Sequence, residues 1–285
     1  MKRQDFRYLE RLRVRWAEVD MQHIVFNGHY LTYVDTAVAG YWRAMAIPYQ
    51  ATMSALQGDL YVRKATLEYL GSARYDEQLE VGVRCQRIGN SSLVLQTAVL
   101  RSGQCLVHGE LVYVYADPLT QTSKPLDPGL RETLTAFEAG QSMLKVELGD
   151  WATLQAASTP LRKAVFHQEQ QIGADLIFDA ADAQALHAVV YNRLGWVVGS
   201  GRAVFDEPAQ ARLGRMATHA AVRGAGVGRS LLAALAQAAS ERGATQLTLH
   251  AQASAVGFYR RLGFEAVGAS FEEAGIEHQA MRRSV

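Results

Sequence analysis

The chain has 285 residues, of which 49% are apolar and 20% charged, and its formal net charge is +1. This is a globular composition, and the length suits about two domains, each able to bury its own core. A nearly balanced charge leaves no broad electrostatic footprint for nucleic acid. No apolar run approaches the length of a membrane span, and Met-Lys-Arg-Gln-Asp at the start is not followed by an apolar region, so the expectation is a cytoplasmic protein without a membrane partner. Cys85 and Cys105 fall on inward positions of predicted strands and have neither CxxC nor zinc spacing. Buried, reduced thiols and no metal are expected.

Along the first half, Tyr8, Leu12, Val14 and Trp16 interleave with charge, which suits a strand with one wet face,. Glu18 reads as a surface charge at its end. A loop from Asp20 to Asn27 follows, with an acid at its head. From Gly28 to Met45 the period changes. Tyr30, Tyr33, Val34, Ala37, Tyr41 and Met45 recur at helical spacing, and Pro48 ends the stripe,. Four strands come next: Leu60–Leu70, then alternating segments around Leu79–Cys85, Leu93–Val99 and Cys105–Tyr115. A strand, a long helix and an antiparallel meander predict an α+β unit whose sheet wraps one buried helix. Leu130–Phe137 suits a short helix, and residues 136–152 read as a small, polar linker.

In the second half, Thr159-Pro160-Leu161 looks like a helix N-cap with proline in the first turn. Leu186–Val190 and Trp196–Phe205 read as strands joined by a hairpin at Asn192–Gly195, and Arg212–Ala220 as the strand entering a glycine-rich turn. That turn is Arg223-Gly224-Ala225-Gly226-Val227-Gly228, and Arg229-Ser230-Leu231-Leu232 opens an amphipathic helix directly after it. Glycines allow close backbone approach, and the unpartnered amides of a helix start favour a pyrophosphate. A Walker loop is excluded, because Arg229 stands at the lysine position and Arg223 where the first glycine belongs. A dinucleotide fingerprint is excluded by Arg229 at the place of its third glycine. A helix cap without a ligand remains the plain alternative. Thr245–His250 suits a strand.

Two family resemblances follow. Asp20-x-x-His23-x-Val25-Phe26-x-x-x-Tyr30-Leu31 before a long helix resembles the hotdog-fold acyl-CoA thioesterases, especially the 4-hydroxybenzoyl-CoA thioesterase-like branch. The Arg87–Ser92 turn and the Tyr69–Asp76 stretch also fit, and the likeness covers about residues 5–135. It implies that Asp20 attacks the thioester carbonyl or activates water for that attack. It also implies that the amide at the start of the central helix, at Asn27, donates to the carbonyl oxygen. The bland use of Asp20 is a turn or N-cap acid. His23 stands where this family has glycine or histidine. Hotdog domains pair through their sheets with sites between protomers, which implies a homo-oligomer.

Arg/Gln-x-x-Gly-x-Gly/Ala before a helix, with Tyr259-Arg260-Arg261-Leu262-Gly263-Phe264 further on, resembles the GNAT-type N-acetyltransferases over about residues 150–285. The resemblance implies acetyl-CoA or CoA as the cofactor. Strand amides at Met216, Ala217 and Thr218 would position the acetyl and pantetheine. Arg223, Gly224, Ala225, Gly226, Val227, Gly228, Arg229 and Ser230 would hold the pyrophosphate. Tyr259 would protonate the leaving thiolate, or else serve as an aromatic wedge. The general base is not identified by the motif; His219, Glu169 and His250 are candidates, and each suits a structural role equally well. Gln168-Glu169-Gln170-Gln171 departs from the Glu-Glu-Gln-Gly turn of one small-molecule branch, although Phe271–His278 matches that branch's tail.

The domains expected are therefore a hotdog thioesterase over 1–135, a linker over 136–152 and a GNAT acetyltransferase over 153–285. The function expected is a bifunctional CoA-dependent enzyme that hydrolyses an acyl-CoA and transfers acetyl to a small-molecule amine. The alternative is a CoA-binding or dimerisation module in which one half has no turnover.

Overall fold

The computed structural model describes residues 1–285, which divide into two compact units, Met1–Met143 and Leu144–Val285. The first unit contains β1 (Tyr8–Arg13), α1 (Asn27–Ala44), α2 (Tyr49–Ala55), β2 (Asp59–Tyr69), β3 (Gln78–Ile88), β4 (Ser92–Arg101), β5 (Gln104–Ala116) and α3 (Pro128–Glu138). Its sheet runs β1-β3-β4-β5-β2, antiparallel throughout.

Helix α1 packs on β1, β3 and β4, as its pattern predicts. Tyr30, Tyr33, Val34, Ala37, Val38, Tyr41 and Trp42 are all buried, and the larger of these side chains each contribute about 1.5–3 kcal/mol of apolar burial. A methyl group at Gly40 would lie 1.8 Å from the Tyr8 hydroxyl and 2.5 Å from the Glu10 carboxylate, so only glycine lets the helix sit this close to β1. The two edges of the sheet differ. Almost every residue of β2 is exposed or half-exposed, on both faces, and the strand pairs only with β5.

The segment 136–152, expected as a polar joint, is mostly built structure. Asp127 caps α3 by accepting from the Leu130 amide at 3.1 Å. At the other end of α3, Glu138 accepts from the Tyr41 hydroxyl at 2.5 Å and the Cys85 amide at 2.7 Å. Composition suggested a tether because its small residues do not reveal these long-range partners. Cys85 and Cys105 are free and half-buried rather than fully enclosed. Burial, and then the negative charge of Glu138, push the Cys85 thiol up to about 12.

The second unit contains β6 (Leu144–Gly149), α4 (Trp151–Arg162), β7 (Leu186–Asn192), β8 (Val197–Val204), β9 (Gln210–Thr218), α5 (Val227–Glu241), β10 (Gln246–Gln252), α6 (Val256–Arg260), β11 (Glu265–Ala266), β12 (Phe271–Glu273) and β13 (Ile276–Ser284). The sheet order is β11-β13-β10-β9-β8-β7-β6, with β12 paired to β13. All pairs are antiparallel except β9 with β10. Helix α5 lies on β6 to β9 and α4 on β7 to β9. The helix start expected at Thr159 is displaced. Asp150 is the cap, accepting from the Thr153 amide at 2.8 Å, and Pro160 sits inside α4. Proline's fixed φ is helical, so its cost there is a lost hydrogen bond and some crowding. Wider, π-type turns over Lys163–Glu169 continue the helix.

One feature of the sheet positions the site. The parallel pairing of β9 with β10 ends at Leu213 and Leu249. On its other side β9 stays paired with β8 as far as Thr218. A bulge opposite Ser200–Arg202 accompanies this divergence, and Arg215 within it takes a left-handed φ of 51°.

Candidate functional site

In the first unit, Asp20 heads a tight turn. Its amide donates to the Ile24 carbonyl at 2.9 Å, its carbonyl accepts from the His23 amide at 2.9 Å, and its Oδ1 accepts from the Gln22 amide at 2.8 Å. His23 has a φ of 60°, which explains why glycine suits this position. Asn27 is the first residue of α1, where helix-start amides are unpartnered, and its carbonyl accepts from the Tyr69 hydroxyl at 3.1 Å. Asp20 and Asn27 line one open depression, together with Phe26, Tyr30, Tyr69 and Gly71. The structure therefore brings the expected acid and the expected helix-start amide to one place.

Glu18 corrects its sequence expectation. It is buried, not a surface charge, with only 6% of its surface exposed. Its carboxylate accepts from the Tyr33 hydroxyl at 2.6 Å and from the Arg15 amide and Nε, both at 2.7 Å. Burial raises its pKa, but the bonds from Tyr33 and Arg15 outweigh that and hold it below the usual range. Its carbonyl also accepts from the Phe26 amide at 2.9 Å. Glu18 thus anchors both ends of the Asp20 loop to α1. The clue missed in the sequence was the Arg15-x-x-Glu18 spacing, which is a capping arrangement,. The basic cluster of Arg11, Arg13 and Arg15 is exposed yet paired, with Glu80, Asp76 and Glu18 respectively.

In the second unit, Met216, Ala217 and Thr218 end β9, beyond the point where β10 leaves it. On that side their backbone groups have no ladder partner. The glycine-rich turn follows. Gly224 and Gly226 have φ of 91° and 84°, values that only glycine adopts without strain. Gly226 is the N-cap of α5, and the first bond across the helix start runs from the Ser230 amide to the Gly226 carbonyl at 3.0 Å. The amides of Val227, Gly228 and Arg229 therefore have no acceptor inside the helix, at its positive end. A Cβ on Gly228 would lie 3.2 Å from the Phe258 ring and 3.8 Å from the Thr218 hydroxyl. The helix start, the end of β9 and α6 thus meet closely.

Tyr259 follows on α6, 7% exposed, and burial raises its pKa to about 12. It is protonated at neutral pH, as a proton donor must be. It shares a cavity of about 330 Å³ with Met216, Gly214, Leu249, His250 and Gln252. Gln170 and Gln252 face each other there, with Gln252 Nε2 donating to Gln170 Oε1 at 2.9 Å.

The candidate bases separate clearly. Both carboxylate oxygens of Glu169 accept from Arg223, at 2.6 and 2.7 Å, and that bond and charge lower its pKa. Arg223, expected as a cofactor ligand, is therefore already held by Glu169. His219 Nδ1 accepts from the Ala221 amide at 3.3 Å, so in the neutral ring Nε2 carries the hydrogen and cannot take another. Burial and Arg223 keep that ring neutral. Of the three, His250 lines the cavity.

Sequence reasoning missed the network that builds the cavity wall. Buried Asp182 accepts from Arg162 at 2.8 Å and pairs with Arg202 at 2.7 Å. Asp179 takes both terminal nitrogens of Arg202, at 2.6 and 2.7 Å, and one from Arg215 at 2.8 Å. These guanidiniums hold the Asp179 carboxyl down to about 2. His187 completes the cluster. Arg162 donates to its Nδ1 at 3.1 Å, so its Nε2 donates to the Asp182 carbonyl at 2.8 Å,. Arg202 in the middle of the apolar run Val197–Val204 was the available signal, since a buried arginine demands carboxylates.

Comparison with known proteins separates the same two halves. Residues 156–285 match the family model described as acetyltransferase (GNAT) domain, and residues 22–107 the one described as thioesterase superfamily. The second range begins just after Asp20 and includes Asn27. The uncharacterized protein YyaT of Bacillus subtilis is 34% identical over 44% of this chain and 85% of its own length. The uncharacterized N-acetyltransferase YjcF of the same organism is 34% identical over 43% of this chain and 87% of its own length. The solved structure of a DHNA-CoA thioesterase from Staphylococcus aureus is 20% identical, covering 46% of this chain and 91% of that one, with a TM-score of 0.43. The chain belongs to the GNAT acetyltransferase family through its C-terminal half, fused to an N-terminal hotdog domain of the thioesterase superfamily.

Proposed function

We propose that the chain carries two CoA-thioester activities, hydrolysis of an acyl-CoA by the first unit and transfer of acetyl from acetyl-CoA to an amine by the second, divided near Met143 and Leu144. The observation that carries the proposal is the junction of the α5 start, the unpaired end of β9 and Tyr259. Free amides at α5 suit the diphosphate of CoA. The open edge of β9 suits the amide-bearing pantetheine arm, which can pair with strand groups that have no other partner. Buried Tyr259 holds a proton for the departing thiolate. Acetyl-CoA is the donor.

In the first unit, the Asp20 carboxylate attacks the thioester carbonyl or draws a proton from water as it attacks. The amide at Asn27 receives the oxygen on which negative charge grows. A second copy of the chain completes this site. The free edge of β2 supports this: Tyr61, Val62, Tyr69 and the adjoining Leu70 are exposed, and Tyr69 and Phe26 also line the Asp20 depression.

Two assays on the full chain separate the activities. Thiol release from a panel of acyl-CoAs reports the first, and acetyl transfer to a panel of primary amines the second. Asp20→Ala abolishes hydrolysis and spares transfer. Tyr259→Phe does the reverse. Tight CoA binding with no turnover in either assay would favour a binding module instead. Hydrolysis at the parent rate in Asp20→Ala would remove the role of Asp20.

A further inference from the structure

We infer that His250, oriented by Glu273, is the general base of the acetyl transfer, taking the proton of the acceptor amine as its nitrogen attacks the thioester; this rests on the transferase function proposed above. His250 is the first residue of β10 past the last one paired with β9. It therefore stands at the mouth of the gap between the two strands, and it lines the cavity that also holds Tyr259.

Its Nδ1 lies 2.8 Å from Glu273 Oε2. A carboxylate only accepts, so Nδ1 carries the hydrogen and Nε2 of the neutral ring keeps a free lone pair. Nε2 makes no hydrogen bond within the protein. The ring is also packed edge-on against Phe271, with centroids 4.8 Å apart. A nucleophile's base set in place by a third group is the arrangement that activation of a weak nucleophile requires. The side chain of His250 is 48% exposed, which lets it return its proton to water between turnovers.

The other charged and titratable groups at the cavity come from every neighbouring element: Arg202 on β8, Arg212 and Arg215 on β9, Tyr259 on α6, Glu273 on β12 and His278 on β13. Arg212 is paired with Asp206, Arg215 with Asp179, and Arg202 with Asp179 and Asp182. Glu273 is the carboxylate that touches His250. His278 has no carboxylate partner. Its Nδ1 donates to the Ile276 carbonyl at 2.8 Å, and its ring is stacked on the same Phe271.

The step balances as follows. The neutral amine nitrogen forms a bond to the acetyl carbonyl carbon, and Nε2 of His250 takes a proton from that nitrogen. The carbon–sulfur bond breaks, its electron pair goes to sulfur, and the thiolate takes the Tyr259 proton. The His250 proton then returns to the Tyr259 oxygen through solvent, leaving amide and free CoA. An acceptor arriving as ammonium first loses one proton to water.

The test uses the full chain with His250→Asn, Glu273→Gln and His278→Asn. Calorimetry with acetyl-CoA should give the parent affinity for all three. Acetylation of a panel of primary amines should lose about 100-fold or more of kcat in His250→Asn at unchanged acetyl-CoA KM. Glu273→Gln should lower kcat at unchanged acetyl-CoA KM, because the ring loses the carboxylate that orients it, whereas His278→Asn should keep the parent kcat. Nitrogen-detected NMR of labelled histidine provides a readout independent of any acceptor, with His250 expected as the Nδ1–H tautomer at about pH 8. An Nε2–H tautomer, or a kcat in His250→Asn within about threefold of the parent, overturns the assignment. So does a loss of kcat in His278→Asn as large as that in His250→Asn. Failure of the parent protein to bind acetyl-CoA removes the transferase function itself, a separate outcome.

Discussion

Replacing Gly226 with alanine isolates what the glycine-rich turn is for. The residue is the N-cap of α5, with a φ of 84°, and a methyl group built there meets nothing within 4 Å. The substitution therefore brings a backbone cost and no clash. An L-residue held in the left-handed region costs about 1–2 kcal/mol, which lowers the melting temperature by roughly 2–8 °C for a domain of this size. If the turn only caps the helix, that is the whole effect. If the Val227, Gly228 and Arg229 amides bind a diphosphate, relaxation of the turn misaligns them as well. Each charge-assisted bond lost is worth about 1.5–3 kcal/mol, or roughly 10- to 150-fold in affinity. Thermal unfolding of the full chain with and without acetyl-CoA, together with calorimetry, measures both quantities. A reduced melting temperature with unchanged acetyl-CoA affinity would refute the diphosphate role and leave a plain helix cap.

Three further outcomes are expected. Asp182→Asn removes the shared carboxylate of Arg162 and Arg202, and breaking such a buried pair costs about 3–5 kcal/mol; a thermal or urea midpoint unchanged from the parent would contradict the network's role. Glu18→Gln should cost about 1–3 kcal/mol near neutrality. The folded pKa of Glu18 is depressed, so its contribution is present above the ordinary glutamate range and lost as pH falls through the folded value; the parent and the variant should converge in acid, and a constant gap down to about pH 2 would refute this. Val62→Asp places a charge on the exposed β2 edge and should convert an oligomer to a monomer by light scattering, whereas an unchanged mass would show that β2 is not the pairing edge.

The elements were legible because their periods are strong. The stripe from Tyr30 to Tyr41 could only be a helix buried along one side, and the alternation around Leu79–Cys85 and Leu93–Val99 could only be strands. The glycine turn announced a helix start because Gly224 and Gly226 both need left-handed backbone. The misses share one physical cause. Glu18, Asp179, Asp182 and Glu138 look like surface acids to any local rule, and their partners lie across the fold, where the sequence gives no distance. Pro160 misled in the opposite way, because a proline suits the first turn so well that its presence deep in α4 goes unconsidered. His250 looked like one histidine among several until Glu273 was seen beside it.

The separate anchoring of Glu18 has a consequence for how this architecture diversifies. The neighbouring residues Met21, Gln22 and His23 are exposed, and only the backbone amides of Gln22 and His23 bond to Asp20. Met21 and Gln22 line the depression, so a lineage can reshape its rim by exchanging them, while the Asp20 carboxylate two positions beyond Glu18 keeps its place.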